Sequence, residues 1–158
     1  MAIISKTVTI NAAFLQEIKE DDRRLRKQLA ELQELCSNWP RRATPVAQLA
    51  EMLVQLRNQL AMHFSLEESY GYFDEPVSAA PHLCHQADRL RRQHEELFDV
   101  LRGIAQCASR AADDQSSIEE STRLVSSYLR FHEQLQTHES AENELIQDAF
   151  NEDIGVGD

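Results

Sequence analysis

Apolar residues recur at alternating steps of three and four along four stretches of the chain. In the first, Leu15, Ile18, Leu25, Leu29, Leu32 and Cys36 keep the rhythm if position 22 is counted. In the second, Leu49, Leu53, Leu56 and Leu60 continue onto positions 63 and 67. The third reads Ala87, Leu90, position 94, Leu97, Leu101 and Ile104. The fourth reads Leu124, Tyr128, Phe131, Leu135, positions 138 and 142, then Leu145. Such spacing turns one face of each helix toward a shared core, and it predicts helices over roughly 11–37, 45–69, 81–109 and 117–150. The breaks between them carry helix-end chemistry. Thr44 is placed to cap the second helix with Pro45 at its first position. Gly71 to Pro81 forms the next break. Ser116 or Ser117 can form a capping box with Glu119 or Glu120. Short connections make sequential helices antiparallel neighbours. The expected fold is therefore all-α, an antiparallel up-down-up-down four-helix bundle over residues 10–150 with short tails at 1–9 and 151–158.

Composition narrows the function classes. The chain has 158 residues, enough for one domain with a substantial core, and its 42% hydrophobic and 27% charged content is ordinary for a globular protein. A formal charge of −11 repels phosphate backbones and argues against nucleic-acid binding. No run of about 18 apolar residues exists to span a bilayer, and the first ten residues lack the basic region of an export signal. Cys36, Cys84 and Cys107 are odd in number and follow no paired spacing, which favours reduced thiols and a cytoplasmic location.

The positions skipped in the apolar rhythm hold Asp22, His63, Glu67, His94, His138 and Glu142. Each stands where a leucine is expected, and each is a residue type that ligates metals. His63 and Glu67, and again His138 and Glu142, are four residues apart, about 6 Å of helical rise on one face, so both members of a pair can reach one centre. Counted from the predicted connections at one end of the bundle, Asp22, His63, His94 and His138 also lie at similar depth. A buried polar group without a partner costs about 1–3 kcal/mol, so six of them would offset a large share of a small domain's stability. A dinuclear metal centre compensates directly: two divalent ions against three carboxylates and one bridging hydroxide sum to zero formal charge. A metal-free network of paired histidines and carboxylates is the competing reading. Away from the stripe, His82, His85 and His132 read as solvated and Glu68 as exposed. Cys36 and Cys107 read as small core residues. Tyr70, Tyr72 and Phe73 read as a cover over the open end of the bundle.

These segments resemble the hemerythrin-like family, also called HHE cation-binding domains, over roughly residues 10–150. The resemblance rests on His63-Phe-Ser-Leu-Glu67-Glu68, Gln93-His94-Glu95-Glu96-Leu97 and His138-Glu-Ser-Ala-Glu142-Asn-Glu-Leu. It extends to a weak internal duplication, with Asp22 to His63 spanning 41 residues and His94 to His138 spanning 44. It implies a non-haem di-iron centre with a bridging oxo or hydroxo group. His63, His94 and His138 would be terminal ligands, Glu67 and Glu142 bridges, and Asp22 would stand where the family usually has a histidine. Mixed Fe–Mn or Fe–Zn occupancy suits the same donors. Oxygen-carrying members add nitrogen and carboxylate donors where this chain has Leu90 and Asn143, so the set is nitrogen-poor for reversible oxygen carriage. The expected role is iron, oxygen or nitric-oxide sensing, storage or stress response, in a metal-binding module rather than a dedicated enzyme. A di-iron oxidoreductase or peroxidase is the alternative.

Overall fold

A computed structural model describes residues 2–39, 45–69, 80–114 and 117–157, with side chains over 16–39, 45–69, 80–114, 117–149 and 151. Thr44, Tyr70, Tyr72, Phe73 and Ser116, and the side chain of Leu15, lie outside the described residues. The elements are α1 (Ala2–Ser37), α2 (Val46–Ser69), a short 3-10 turn (Pro81–Leu83), α3 (Cys84–Asp113) and α4 (Ile118–Gly157). No strand occurs among the described residues. In chain order α1 packs on α2, α2 on α3 and α3 on α4, and α4 closes back onto α1. This is the four-helix bundle that the periodicity and the short connections predict.

Local chemistry sets the helix ends. Pro45 stands just ahead of α2, and its carbonyl accepts from the amides of Gln48 and Leu49. Ser117 caps α4: its Oγ accepts from the Glu120 amide at 3.3 Å, and its carbonyl accepts from the Ser121 amide. Glu119 and Glu120 in the first turn add negative charge at the positive end of the helix dipole. Within α1, α3 and α4 the helical assignment runs past the predicted limits, to Ala2, Asp113 and Gly157.

The apolar stripe is the core. Leu25, Leu32, Leu49, Leu53, Leu56, Leu60, Leu101, Tyr128, Phe131, Leu135 and Leu145 are almost wholly enclosed. In α4 the buried apolar residue at the first turns is Val125 rather than Leu124, and in α1 Leu35 joins Cys36 inside. Buried apolar residues form two clusters. The larger includes Phe64, Leu97 and Leu135; the smaller holds Ala80, Leu83, Ala87, Leu90, Leu145 and Ala149. Along α3 the boundary between them falls between Leu90 and Leu97, and along α4 between Leu135 and Leu145. A layer of ionisable side chains fills that boundary.

Candidate metal centre

His63, Glu67, His94, His138 and Glu142 are all buried, and they form that layer. α2 contributes His63 and Glu67 one turn apart, α3 contributes His94, and α4 contributes His138 and Glu142 one turn apart. Glu67 Oε1 lies 2.5 Å from His63 Nε2, and Glu67 Oε2 lies 3.4 Å from His94 Nε2. Glu142 Oε1 lies 3.1 Å from His94 Nε2 and also against His138 Nε2. One ligand atom from each of His94, His138 and Glu142 can be chosen so that all lie within 4.8 Å of one another. Five of the six residues picked from the stripe therefore converge.

Asp22 does not. The structure places it at the rim, half-exposed and paired with the exposed Arg26 at 3.1 Å. Its neighbour Asp21 is the buried one, at 5% exposure, and its Oδ2 accepts from His63 Nδ1 at 2.6 Å. The reason is helical phase. From Ile18 to Leu25 the alternation can run 4 then 3, through position 22, or 3 then 4, through position 21, and packing selects the second.

Each histidine is held from behind by the preceding helix. Asp21 of α1 accepts from His63 Nδ1, and its other oxygen accepts from Gln59 Nε2 at 2.6 Å. Glu68 of α2 accepts from His94 Nδ1 at 3.1 Å, and Gln93 of α3 accepts from His138 Nδ1 at 2.7 Å. Phe64 stacks flat on His94, with centroids 4.0 Å apart at 8°, and meets His138 edge-on. Donation from Nδ1 turns every Nε2 inward, which is the arrangement that outer hydrogen bonds impose on metal-bound imidazoles. Asp21, Gln59 and Gln93 were not legible from the apolar rhythm; Glu68 is exposed as expected, yet one of its carboxylate oxygens accepts from His94 Nδ1. Glu139 is the other unforeseen member. It is half-buried, with Oε1 3.8 Å from His63 Nε2.

Electrostatics follow from this crowding. Burial pushes the His63 imidazolium toward losing its proton. Hydrogen bonds to Asp21 and Glu67, with their charges, outweigh burial and hold its pKa up at about 10. His94 is raised to about 9, again against burial, by Glu142, Glu67 and Glu68. Burial raises the Glu67 carboxyl, but its bonds to His63 and His94 prevail and bring it down to about 2. Glu139 is raised by burial, helped by the Glu142 and Glu67 charges and opposed by His63. Without a cation, then, carboxylates and imidazolium protons neutralise one another.

That balance is incomplete, and its gap bears on a metal. Glu67 Oε2 and His138 Nε2 are buried, and their close polar neighbours, His94 Nε2 and Glu142 Oε1, meet them as ion-pair contacts without hydrogen-bond geometry. Both are ligand atoms, on residues that face the same interior layer. Imidazole and carboxylate donors suit iron, manganese or zinc. The residues present fit a bound cation.

Other sequence readings fare differently. His82 and His85 are exposed as expected. His132 is not solvated; it is 4% exposed, 3.4 Å from the Tyr128 hydroxyl, because Tyr128 and His132 face inward one turn apart. Cys36 is buried, but Cys107 is exposed, since α3 turns Ala105 and Ala108 inward around it.

The class defined by this fold and site is an all-α bundle with a candidate cation site, its histidines and carboxylates converging between two apolar clusters. Residues 13–84 match the model of the hemerythrin HHE cation binding domain, a span from α1 through α2 to the start of α3. The resemblance read from the sequence is thus borne out over that span, by a family named for cation binding. No curated protein and no solved structure gives a match. Among the described residues no helix is long and apolar enough to cross a membrane.

Proposed function

We propose that this chain holds a dinuclear non-haem iron centre. His63, His94 and His138 serve as terminal donors and Glu67 and Glu142 as bridges, for sensing or storing iron, oxygen or nitric oxide, or for a stress response. The observation that carries the reading is the orientation of the three imidazoles. Each Nδ1 is anchored from the preceding helix and each Nε2 faces Glu67 or Glu142. Two buried ligand atoms, Glu67 Oε2 and His138 Nε2, whose ion-pair contacts lack hydrogen-bond geometry, support it. Iron bound there would supply one-electron redox chemistry and Lewis acidity. The protein's own residues orient the donors, flank them with the apolar clusters and keep each proton on Nδ1 by accepting it in a hydrogen bond at Asp21, Glu68 or Gln93. Leu90 is packed in the smaller apolar cluster and Asn143 is exposed, so neither adds a donor. The set stays carboxylate-rich, which favours the higher-valent metal over reversible oxygen carriage.

A di-iron oxidoreductase or peroxidase is the second reading. It is favoured by a half-open cavity of about 570 Å³ between α3 and α4 that reaches His138 and is lined by Gln93, Leu97 and Ala141. Elemental analysis of protein purified without oxygen, followed by visible spectra on mixing the reduced protein with oxygen, separates the cases. Two irons per chain and a stable, reversible band support the binding module. Rapid irreversible oxidation with substrate turnover supports the enzyme. Protein free of metal overturns both in favour of a purely structural bundle.

A further inference from the structure

His94, His138 and Glu142 bring two nitrogens and a carboxylate to one place, whereas His63 has Glu67 Oε1 at 2.5 Å and needs a further donor to make a second position. Among its described residues, neither aspartate of the first helix provides one. Asp22 is engaged at the rim with Arg26. Asp21 uses Oδ2 on His63 Nδ1, the outward ring nitrogen, and Oδ1 on Gln59. After Glu67, the next carboxylate oxygen facing His63 Nε2 is Glu139 Oε1, reaching across from α4 at 3.8 Å.

We propose that Glu139, rather than Asp21 or Asp22 of α1, supplies the carboxylate that completes the metal position at His63. The inference rests on the dinuclear reading above. Two donors bound about 2.1 Å from one ion sit about 3–4 Å apart, depending on the angle between them. The 3.8 Å contact falls in that span and is too long for a hydrogen bond. The Glu139 side chain is only 32% exposed and lies close enough to feel Glu67 and Glu142, so a third negative charge is drawn into a carboxylate-rich layer. A cation at His63 gives that charge its counterpart. Asp21 then acts as a positioning residue, holding the His63 ring while α4 delivers the ligand.

The test is a cobalt(II) titration of the chelator-treated full chain, followed calorimetrically and by elemental analysis, on wild type, Glu139→Gln, Glu139→Ala and Asp22→Asn. Wild type and Asp22→Asn should each bind two ions. Both Glu139 variants should keep one ion at unchanged affinity and bind the second at least tenfold more weakly, while melting like the wild type without metal. Two ions at wild-type affinity in both variants would overturn the assignment, as would loss of both ions from a variant that still folds. A wild type that binds no cobalt would instead remove the dinuclear reading itself, so the two failures are distinguishable.

Discussion

His132 and Cys36 are core residues whose protonation ties stability to pH. Burial lowers the His132 pKa, with Glu133 opposing, so the folded state prefers neutral imidazole. The Tyr128 O–H donates to its Nδ1, while Nε2 is buried without a partner. The unfolded chain takes up a proton first as pH falls through the ordinary histidine value of about 6.5. The stability due to neutral His132 is therefore complete above that value and declines below it, at a slope of at most about 1.4 kcal/mol per pH unit. His132→Leu should flatten the acid side of the urea-unfolding profile between pH 6.5 and 5; an unchanged profile would show that the ring protonates in place. Cys36 works from the other side. Burial pushes its thiol up from 9.0 to about 12, so the unfolded chain ionises first above pH 9 and the thiol's share of stability fades from there to pH 12. Because the thiolate is the nucleophile, iodoacetamide at pH 8 should modify the exposed Cys84 and Cys107 and leave Cys36 intact until urea unfolds the chain. Mass spectrometry of tryptic peptides reads this directly.

At the scale of the helix, the apolar rhythm located the stripes but left phase open where polar residues interrupt it. α2 was unambiguous, since Leu49, Leu53, Leu56 and Leu60 are wholly buried and fix the inward direction of His63 and Glu67. α1 was not, since Asp21 and Asp22 both satisfy a three-and-four alternation. Rim and core are chemically distinct environments, so the two aspartates should respond differently. Asp21→Ala removes the acceptor on His63 Nδ1 and should weaken metal binding about 10–100-fold, the usual effect of losing such an outer hydrogen bond. Asp22→Ala breaks an exposed i,i+4 ion pair and should change neither affinity nor stability beyond about 0.5 kcal/mol. Equal effects would mean that α1 is rotated from the phase seen here. Glu139 was hidden for a related reason. It follows His138 directly, about 100° round the helix, and reaches the site only by the length of its side chain. Gln93 and Glu68 adjoin ligand residues in the same way and act on the histidine of the next helix, a relation between helices that no single-helix pattern encodes.

Those crossed hydrogen bonds make the centre a clamp on the whole bundle. Asp21 to His63 ties α1 to α2, Glu68 to His94 ties α2 to α3, and Gln93 to His138 ties α3 to α4. A bound cation would add bonds through Glu67 and Glu142, so metal binding and helix association should be coupled. The coupling has a ceiling, because the metal-free layer has its own compensation: His63 and His94 keep their protons well above neutrality and pair with Glu67 and Glu142. The two apolar clusters also remain packed on either side of it. Chelation should therefore loosen the fold without unfolding it, unlike a zinc finger, which has no comparable core. With free metal about a thousandfold above its dissociation constant, binding contributes about 4 kcal/mol, and each kcal/mol moves the melting point of a chain this size by about 2–4 °C. Removing metal should lower Tm by roughly 8–16 °C while far-ultraviolet circular dichroism at 25 °C stays helical. Complete unfolding on chelation would mean that the imidazolium–carboxylate pairs do not hold the layer together. An unchanged Tm in protein shown to have carried metal would mean that the ions sit outside the clamp.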